Sequence, residues 1–137
     1  MCIRDSLNSI LAERGVLHLQ GMKYQIMPLG ENGKRRLKRH FSGEKNQFGM
    51  TYGVRNCSFE PTVCGDTISG TLNQVSVAFL HMKPAIITTH RVNYSGGMCI
   101  KNRDNNLRNL KQLLLKIVKK WPDVVFMSSN QLCKEFV

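Results

Sequence analysis

The feature that most constrains the fold is an amphipathic helical segment followed at once by a short apolar run. Apolar side chains recur at helical spacing behind a possible cap at Thr67. The stripe consists of Ile68, Leu72, Val75, Phe79 and Met82. Residues 84–89 then form a short apolar run after a proline, which is typical of a buried parallel strand. With a strand candidate at 48–54, this order predicts a right-handed β-α-β crossover in an α/β fold.

The segment before this crossover begins with a short predicted helix. It runs through about Arg14, is capped by Ser6 or Asn8, and is ended by Gly15. Residues 16–20 follow as a predicted strand. The sequence of helix, glycine and strand again indicates an α/β protein rather than a helical bundle.

Between residues 21 and 47 the periodicity weakens, and glycines and a proline interrupt the chain. Lys34–Arg39 is the densest basic run in the sequence. We predict a long loop here, with one helical turn near residues 35–41. No aromatic side chain alternates with the charges, so we interpret the basic run as a solvated face.

The carboxyl-terminal third contains a second long helix, predicted from Arg103 to Trp121 and stopped by Pro122. Its predicted inward residues are Leu107, Leu110, Leu114, Ile117, Val118 and Trp121. Residues 124–127 form a predicted final strand. Ser128 or Ser129 then predicts a helix cap, with Gln131 at the spacing of a capping box.

Composition limits the classes of function. The chain has 137 residues and a formal net charge of +11, which favours an anionic partner or surface. No apolar run is long enough to span a membrane. Five cysteines without a C-x-x-C pair argue against a zinc ribbon. Cys57 and Cys64 lie close enough in sequence to form a disulfide in an exported protein, and we favour free thiols. Met1–Ser6 resembles translated sequencing-adaptor DNA, so we expect one domain over residues 7–137 and leave its compartment open.

Polar and charged side chains follow two of the predicted strands. They are Arg55 and Glu60 after the strand at 48–54, and His90, Arg91, Asn93 and Tyr94 after the strand at 84–89. Ligands and catalytic groups gather beyond the carboxyl ends of strands in parallel α/β folds. We therefore predict that these side chains form a functional site, with His90 positioned to act in it.

The order of these segments matches a known pattern. A strand ending in His90 precedes the helix at 103–121 and then the run Val124–Leu132, while Tyr52–Pro61 places Arg55 after an earlier strand. This arrangement resembles the carboxyl-terminal part of polysaccharide deacetylases, the carbohydrate esterases of the chitooligosaccharide-deacetylase type. The likeness extends over Leu7–Val137 as a divergent branch of that family.

The resemblance implies the carboxyl-terminal part of a distorted (β/α)7 barrel, with about four mostly parallel strands and covering helices. It implies a hydrolase that removes acetyl groups from a carbohydrate with one zinc-like divalent metal. His90 would be the acid that transfers a proton to the leaving group, and Arg55 would orient the aspartate base. The residues that would bind the sugar, because planar polar groups and an aromatic ring suit its hydroxyls, are Arg91, Asn93, Tyr94 and Glu60. The family's Asp-Asp pair and His-x-x-x-His ligands do not occur in this sequence. We therefore expect that the metal-binding half belongs to a longer parent, that this chain holds no cofactor, and that it is inactive alone.

Two other functions stay open. One is a glycan-binding barrel that has lost catalysis and kept its groove. The other is a basic nucleic-acid-binding domain built around Lys34–Arg39, which would bind with strong salt dependence. Because that run has no interleaved aromatic side chain, nucleic acid ranks below carbohydrate as the expected partner.

Overall fold

The computed structural model describes residues 3–29, 34–62, 68–97 and 99–136. Over these residues the protein is mixed α/β, with short parallel strand pairs and no closed barrel, so the predicted α/β class is confirmed. The chain divides into two compact units. We call them the amino-terminal unit (residues 1–55 with 127–137) and the central unit (residues 56–126). No helix within the described ranges is long and apolar enough to cross a bilayer.

The amino-terminal unit opens with α1 (Ile3–Glu13), which ends as predicted at Gly15. Gly15 has a φ of 77°, a left-handed conformation that glycine adopts without steric cost. The amides of Gly15 and Val16 donate to carbonyls of the preceding turn, which forms a Schellman motif. The predicted cap at Ser6 or Asn8 is wrong, because the helix begins before both residues.

The same unit contains one parallel strand pair, β1 (His18–Met22) and β4 (Thr51–Arg55), close to the predicted strands. The final helix, α4 (Ser129–Lys134), packs against both strands. The predicted capping box is confirmed. The Ser128 hydroxyl accepts from the Gln131 amide, and the Gln131 side chain accepts from the Ser128 amide.

The predicted loop at 21–47 is wrong, because two strands lie within it. β2 (Tyr24–Leu29) and β3 (Lys34–Arg39) form an antiparallel two-stranded ribbon. The residues of β3 from Arg35 to Arg39 are all exposed. A strand that buries neither face shows no apolar alternation, so its charges resemble those of a loop in the sequence.

The central unit is built on a β-α-β crossover, as predicted. β5 (Cys57–Ser58) lies parallel to β6 (Ile87–Thr88), and α2 (Ile68–Leu80) connects them. The first strand of the crossover therefore lies a few residues downstream of the segment predicted at 48–54. Met82, predicted on the inward stripe, is 92% exposed with a φ of 53°, so the helix ends before it. The predicted cap Thr67 lies outside the described residues.

The third helix, α3 (Ile100–Lys120), completes the core of this unit. The buried core residues are Cys57, Phe59, Val75, Leu113 and Ile117. The predicted inward face is partly wrong, since Leu107, Leu114 and Val118 are 44%, 37% and 45% exposed while Leu113 is fully buried. Residues 113–115 are three consecutive leucines, so apolar residues lie on faces about 100° apart and the pattern alone cannot select one.

The strand predicted at 124–127 is wrong. The described backbone there is neither helix nor strand. The Val124 amide donates instead to the Trp121 carbonyl in a turn, and Val125 and Phe126 are 68% and 58% exposed. An extended segment becomes a strand only when a neighbour pairs with its amides and carbonyls, which apolar composition alone does not reveal.

Candidate functional site

The candidate site begins where β6 ends. His90 lies two residues beyond Thr88 in an extended conformation, with φ of −95° and ψ of 140°. A 3₁₀ turn follows at Arg91–Asn93, and the Asn93 amide donates to the His90 carbonyl at 3.0 Å. The turn leaves the imidazole at the protein surface, with 72% of the side chain exposed.

Glu60 occupies the equivalent place after β5. The register pairs Ser58 with Thr88, and the Phe59 amide donates to the Thr88 carbonyl at 2.9 Å. Two residues past each paired position lie Glu60 and His90. The parallel register therefore brings their side chains together, and His90 Nδ1 lies 2.7 Å from Glu60 Oε1. Only 8% of the Glu60 side chain is exposed.

The second carboxylate oxygen of Glu60 is also occupied. Asn93 Nδ2 donates to Glu60 Oε2 at 2.6 Å, and Asn93 is fully buried. A buried carboxylate is costly unless donors satisfy its oxygens, and here each oxygen has one. Among the described residues Asn93 Oδ1 has no hydrogen-bond partner.

Helix α3 holds Asn93 in place through a hydrogen bond from Asn106. Asn106, itself 4% exposed, donates from Nδ2 to the Asn93 carbonyl at 3.0 Å and to Thr62 Oγ1 at 2.5 Å. Asn102 and Thr62 lie 3.4 Å apart through their side chains. The loop after β5, the loop after β6 and α3 are thus joined by one polar network, which limits the positions that Glu60 can take.

This geometry determines what the imidazole can do. An ionised carboxylate only accepts hydrogen bonds, so the proton shared with Glu60 belongs to His90 Nδ1. In the neutral ring Nε2 is then unprotonated and available at the surface. A buried carboxylate that orients an exposed imidazole in this way is suited to general acid–base catalysis, because it fixes the tautomer and leaves the other ring nitrogen accessible.

The remaining predicted residues near His90 differ in accessibility. Arg91 is exposed, and Tyr94 is half-buried with its hydroxyl 2.8 Å from Thr89 Oγ1. Arg91 and Tyr94 follow His90 by one and four residues. Asn93 and Glu60, also predicted to bind substrate, are buried and hydrogen-bonded to each other, so they orient His90 rather than form a binding surface.

Arg55 belongs to the amino-terminal unit, where it ends β4 and is half-buried. It lines a cavity of about 420 Å³ together with Gln20, Gln25, His40 and Tyr52. Within the described part of the chain it takes part in no ion pair. Its predicted role beside an aspartate base stays a prediction.

The sequence analysis does not predict Asn106 and Thr62 as part of the site. A signal for Asn106 was present, because it lies on the same helical face as Leu110, Leu113 and Ile117 at spacings of four, seven and eleven residues. A polar residue on a core-facing stripe requires a hydrogen-bond partner when buried. Thr62 has no comparable signal, since it lies in a turn.

Cysteine and metal chemistry find little support in the described residues. Burial raises the pKa of Cys57 to about 11, so this free thiol stays protonated at neutral pH and is a poor nucleophile. The other half of the possible pair, Cys64, lies outside the described residues. No group of three His, Cys, Asp or Glu side chains that could hold a metal ion occurs within the described ranges.

Comparisons with known proteins do not place the chain in a family. A scan against protein-family models, a search of curated proteins and a search of solved structures each found no significant match.

Proposed function

We propose that this chain is part of a hydrolase of the carbohydrate-deacetylase type, in which His90 is the general acid and Glu60 its positioning residue. The observation that supports this most is the 2.7 Å contact between His90 Nδ1 and the buried Glu60 carboxylate. The 72% exposure of the His90 side chain leaves Nε2 accessible to a substrate. The order of segments that resembles polysaccharide deacetylases supplies the substrate class.

In the proposed reaction the proton moves at His90 Nε2. A water molecule would first add to the acetyl carbon and lose a proton to a base that the longer parent protein supplies. The imidazolium form of His90, paired with Glu60, then donates its Nε2 proton to the leaving amine or alcohol as the bond to the acetyl carbon breaks and acetate is released. The ring then holds a single proton, on Nδ1, and Glu60 keeps it in that tautomer. Arg91 and Tyr94 would bind sugar hydroxyls beside the reacting bond, because both side chains remain accessible.

The described residues do not form a site for the metal that the resemblance implies. The described residues provide no three-ligand group, and the only carboxylate beside His90 already accepts two hydrogen bonds. A divalent ion in such enzymes polarises the acetyl carbonyl. In this proposal its ligands belong to a longer parent protein, and the chain supplies only the proton donor.

The finer fold proposal, the carboxyl-terminal part of a distorted (β/α)7 barrel, is supported by two features. The strand pairs β1–β4 and β5–β6 are both parallel. The outer face of α3 leaves Leu107, Leu115 and Val118 44%, 60% and 45% exposed, which is typical of a helix that another layer covers. A missing set of strands and helices would provide that layer.

The test is acetate release from an N-acetylated chitooligosaccharide by the parent protein that contains this chain. We expect His90→Gln to lower kcat by about 10²–10⁴-fold. Glu60→Gln should lower kcat with little change in KM, since a positioning residue acts through His90 rather than on the bound sugar. His81→Gln, a change at an exposed histidine at the end of α2, is the matched control and should leave turnover unchanged.

Two results would contradict the proposal. One is the absence of acetate release from any acetylated sugar by the parent protein. The other is a His90→Gln variant that keeps normal turnover while its circular dichroism and melting temperature match those of the unmodified protein. In the second case the Glu60–His90 pair would be a structural feature of the loops.

A further inference from the structure

We propose that the β2–β3 ribbon of the amino-terminal unit binds the backbone of single-stranded nucleic acid. This inference goes beyond the proposed hydrolase and depends on other residues. The ribbon consists of Tyr24–Leu29 paired with Lys34–Arg39. Its sequence was interpreted above as a solvated loop, and the strand pairing changes that interpretation.

The charge of the ribbon has a single sign. Of the residues whose side chains are described, five exposed cations lie on it or at its ends, and neither strand contains an acidic residue. These cations are Lys23, Arg35, Arg36, Lys38 and Arg39. None forms an ion pair with another described residue. A row of unneutralised cations at strand spacing attracts a polyanion, and three of the five are arginines, whose planar guanidinium groups bind phosphate well.

Strand pairing brings an aromatic side chain, Tyr24, beside the basic run, which contains none. The register places Tyr24 opposite Arg39 and Ile26 opposite Leu37, and residues opposite each other share a face. Tyr24 is 50% exposed. Phe41, just past β3, is 56% exposed, and the Arg39 guanidinium lies 4.7 Å from its ring centroid. Exposed rings beside cations form the kind of surface on which unpaired bases stack.

The ribbon carries cations on both of its faces, which favours a flexible single strand of nucleic acid as its partner. Successive residues of a strand point to opposite faces, so Arg35 and Arg39 lie on the face of Tyr24 while Arg36 and Lys38 lie on the other. A flat bilayer would contact only one of these faces. A single nucleic-acid strand can bend around the ribbon and use cations on both.

The experiment uses the whole 137-residue chain and a fluorescent single-stranded oligonucleotide of about 16 nucleotides in mixed sequence. Anisotropy titrations at salt concentrations between about 50 and 200 mM give the salt dependence of the affinity. Five backbone contacts predict a slope of about −3.5 for log K against log salt. The ribbon variant Arg35→Gln/Arg36→Gln/Lys38→Gln/Arg39→Gln should reduce this slope to about −0.7 and weaken binding by roughly 10²-fold or more at low salt.

A charge-matched control separates the ribbon from the general basicity of the chain. The variant Lys101→Gln/Lys111→Gln/Lys116→Gln/Lys119→Gln removes four exposed cations from α3. It should lower affinity by less than about threefold, because weak long-range attraction alone is lost. Tyr24→Ala should weaken single-strand binding by about 5–100-fold and duplex binding far less, since only unpaired bases stack on the ring.

Several outcomes would overturn the proposal. Equal losses in the ribbon and α3 variants would show attraction to total charge rather than a site. An unchanged affinity after Tyr24→Ala would remove the stacking surface. Binding to vesicles containing phosphatidylserine, or to heparin, that depends on the ribbon while the oligonucleotide does not bind would assign the cations to a different partner.

Discussion

Among the described residues two histidines lie beside glutamates, one in each unit, and the difference that matters most for their chemistry is whether the second ring nitrogen is accessible. His90 Nδ1 lies 2.7 Å from Glu60, and 72% of the imidazole is exposed. His40 Nε2 lies 2.8 Å from Gln25 Oε1, and its Nδ1 lies 3.4 Å from Glu44. His40 is only 4% exposed. A glutamate near a histidine is therefore not a functional signal until the second ring nitrogen is shown to be accessible.

The surroundings of the two rings lead to the same conclusion. His40 stacks on Tyr52 with 4.1 Å between ring centroids, and the Phe41 amide donates to Glu44. The face of the His40 ring is therefore covered by Tyr52, and the Glu44 carboxylate accepts a hydrogen bond from the backbone. At the other site the carboxylate, not the imidazole, is the buried partner. His90 is thus held at one nitrogen and free at the other, which a proton-transfer group requires.

The largest expected effect comes from Asn93→Asp, which tests whether the site in the central unit depends on a buried donor. The variant replaces the Nδ2 donor to Glu60 by a second carboxylate at a fully buried position. An unpaired buried charge costs about 3–5 kcal/mol of unfolding free energy. Urea unfolding near neutral pH measures the loss. It should shrink on acidification, because protonation of either carboxyl group restores a donor.

The control for this change is Asn105→Asp on the exposed face of α3, where the side chain lies beside Arg108. It should alter the unfolding free energy by less than about 0.5 kcal/mol. If Asn93→Asp were equally mild, the hydrogen bonds of Asn93 would not hold Glu60 in place. The comparison with His40 would then rest on exposure alone.

A smaller effect is expected from truncating each histidine. His40→Ala removes a stacked, buried ring and leaves the Gln25 side chain without its partner, so it should cost about 2–3 kcal/mol. His90→Ala removes an exposed ring and should cost less than about 1 kcal/mol. Denaturant unfolding of both variants measures this difference. Equal costs would mean that exposure does not distinguish a structural histidine from a functional one in this protein.

The sequence located His90 and Glu60 just past strand ends, although it located several neighbouring elements wrongly. His90 was found because polar residues past a short apolar run mark the carboxyl end of a strand, and this signal is local. Asn93 was assigned to substrate, since the sequence does not show that a 3₁₀ turn buries it under Asn106. The β2–β3 ribbon at 24–39 could not be predicted from the sequence. Its strands are stabilised mainly by each other, so no buried face leaves a pattern in the sequence.

Helix α3 shows that a sequence pattern can predict a helix without predicting which face of it is buried. Its existence and length were predicted closely, because helical periodicity over many residues is a strong signal. Its inward face was partly misassigned, because Leu113, Leu114 and Leu115 offer competing faces of similar hydrophobicity. Tertiary contacts with Phe59 and Val75 select Leu113. Such a choice depends on residues distant in sequence, which a pattern along one helix does not contain.

The smallest effect is a change of tautomer, and it tests the chemical part of the comparison without any assay of turnover. At a pH where both rings are neutral, Glu60 should hold the His90 proton on Nδ1 and leave Nε2 unprotonated. Long-range ¹H–¹⁵N correlation spectra distinguish the two nitrogens of each ring. Glu60→Gln offers both a donor and an acceptor to Nδ1, so the His90 signals should shift toward a mixture of tautomers.

His40 serves as the internal reference in the same spectra. Its partners Gln25 and Glu44 belong to the amino-terminal unit, so its tautomer should be unchanged in Glu60→Gln. A His90 ring that already exchanges between tautomers in the unmodified chain would mean that the buried carboxylate does not orient it. The imidazole would then lack the fixed proton position that its proposed role as a general acid requires.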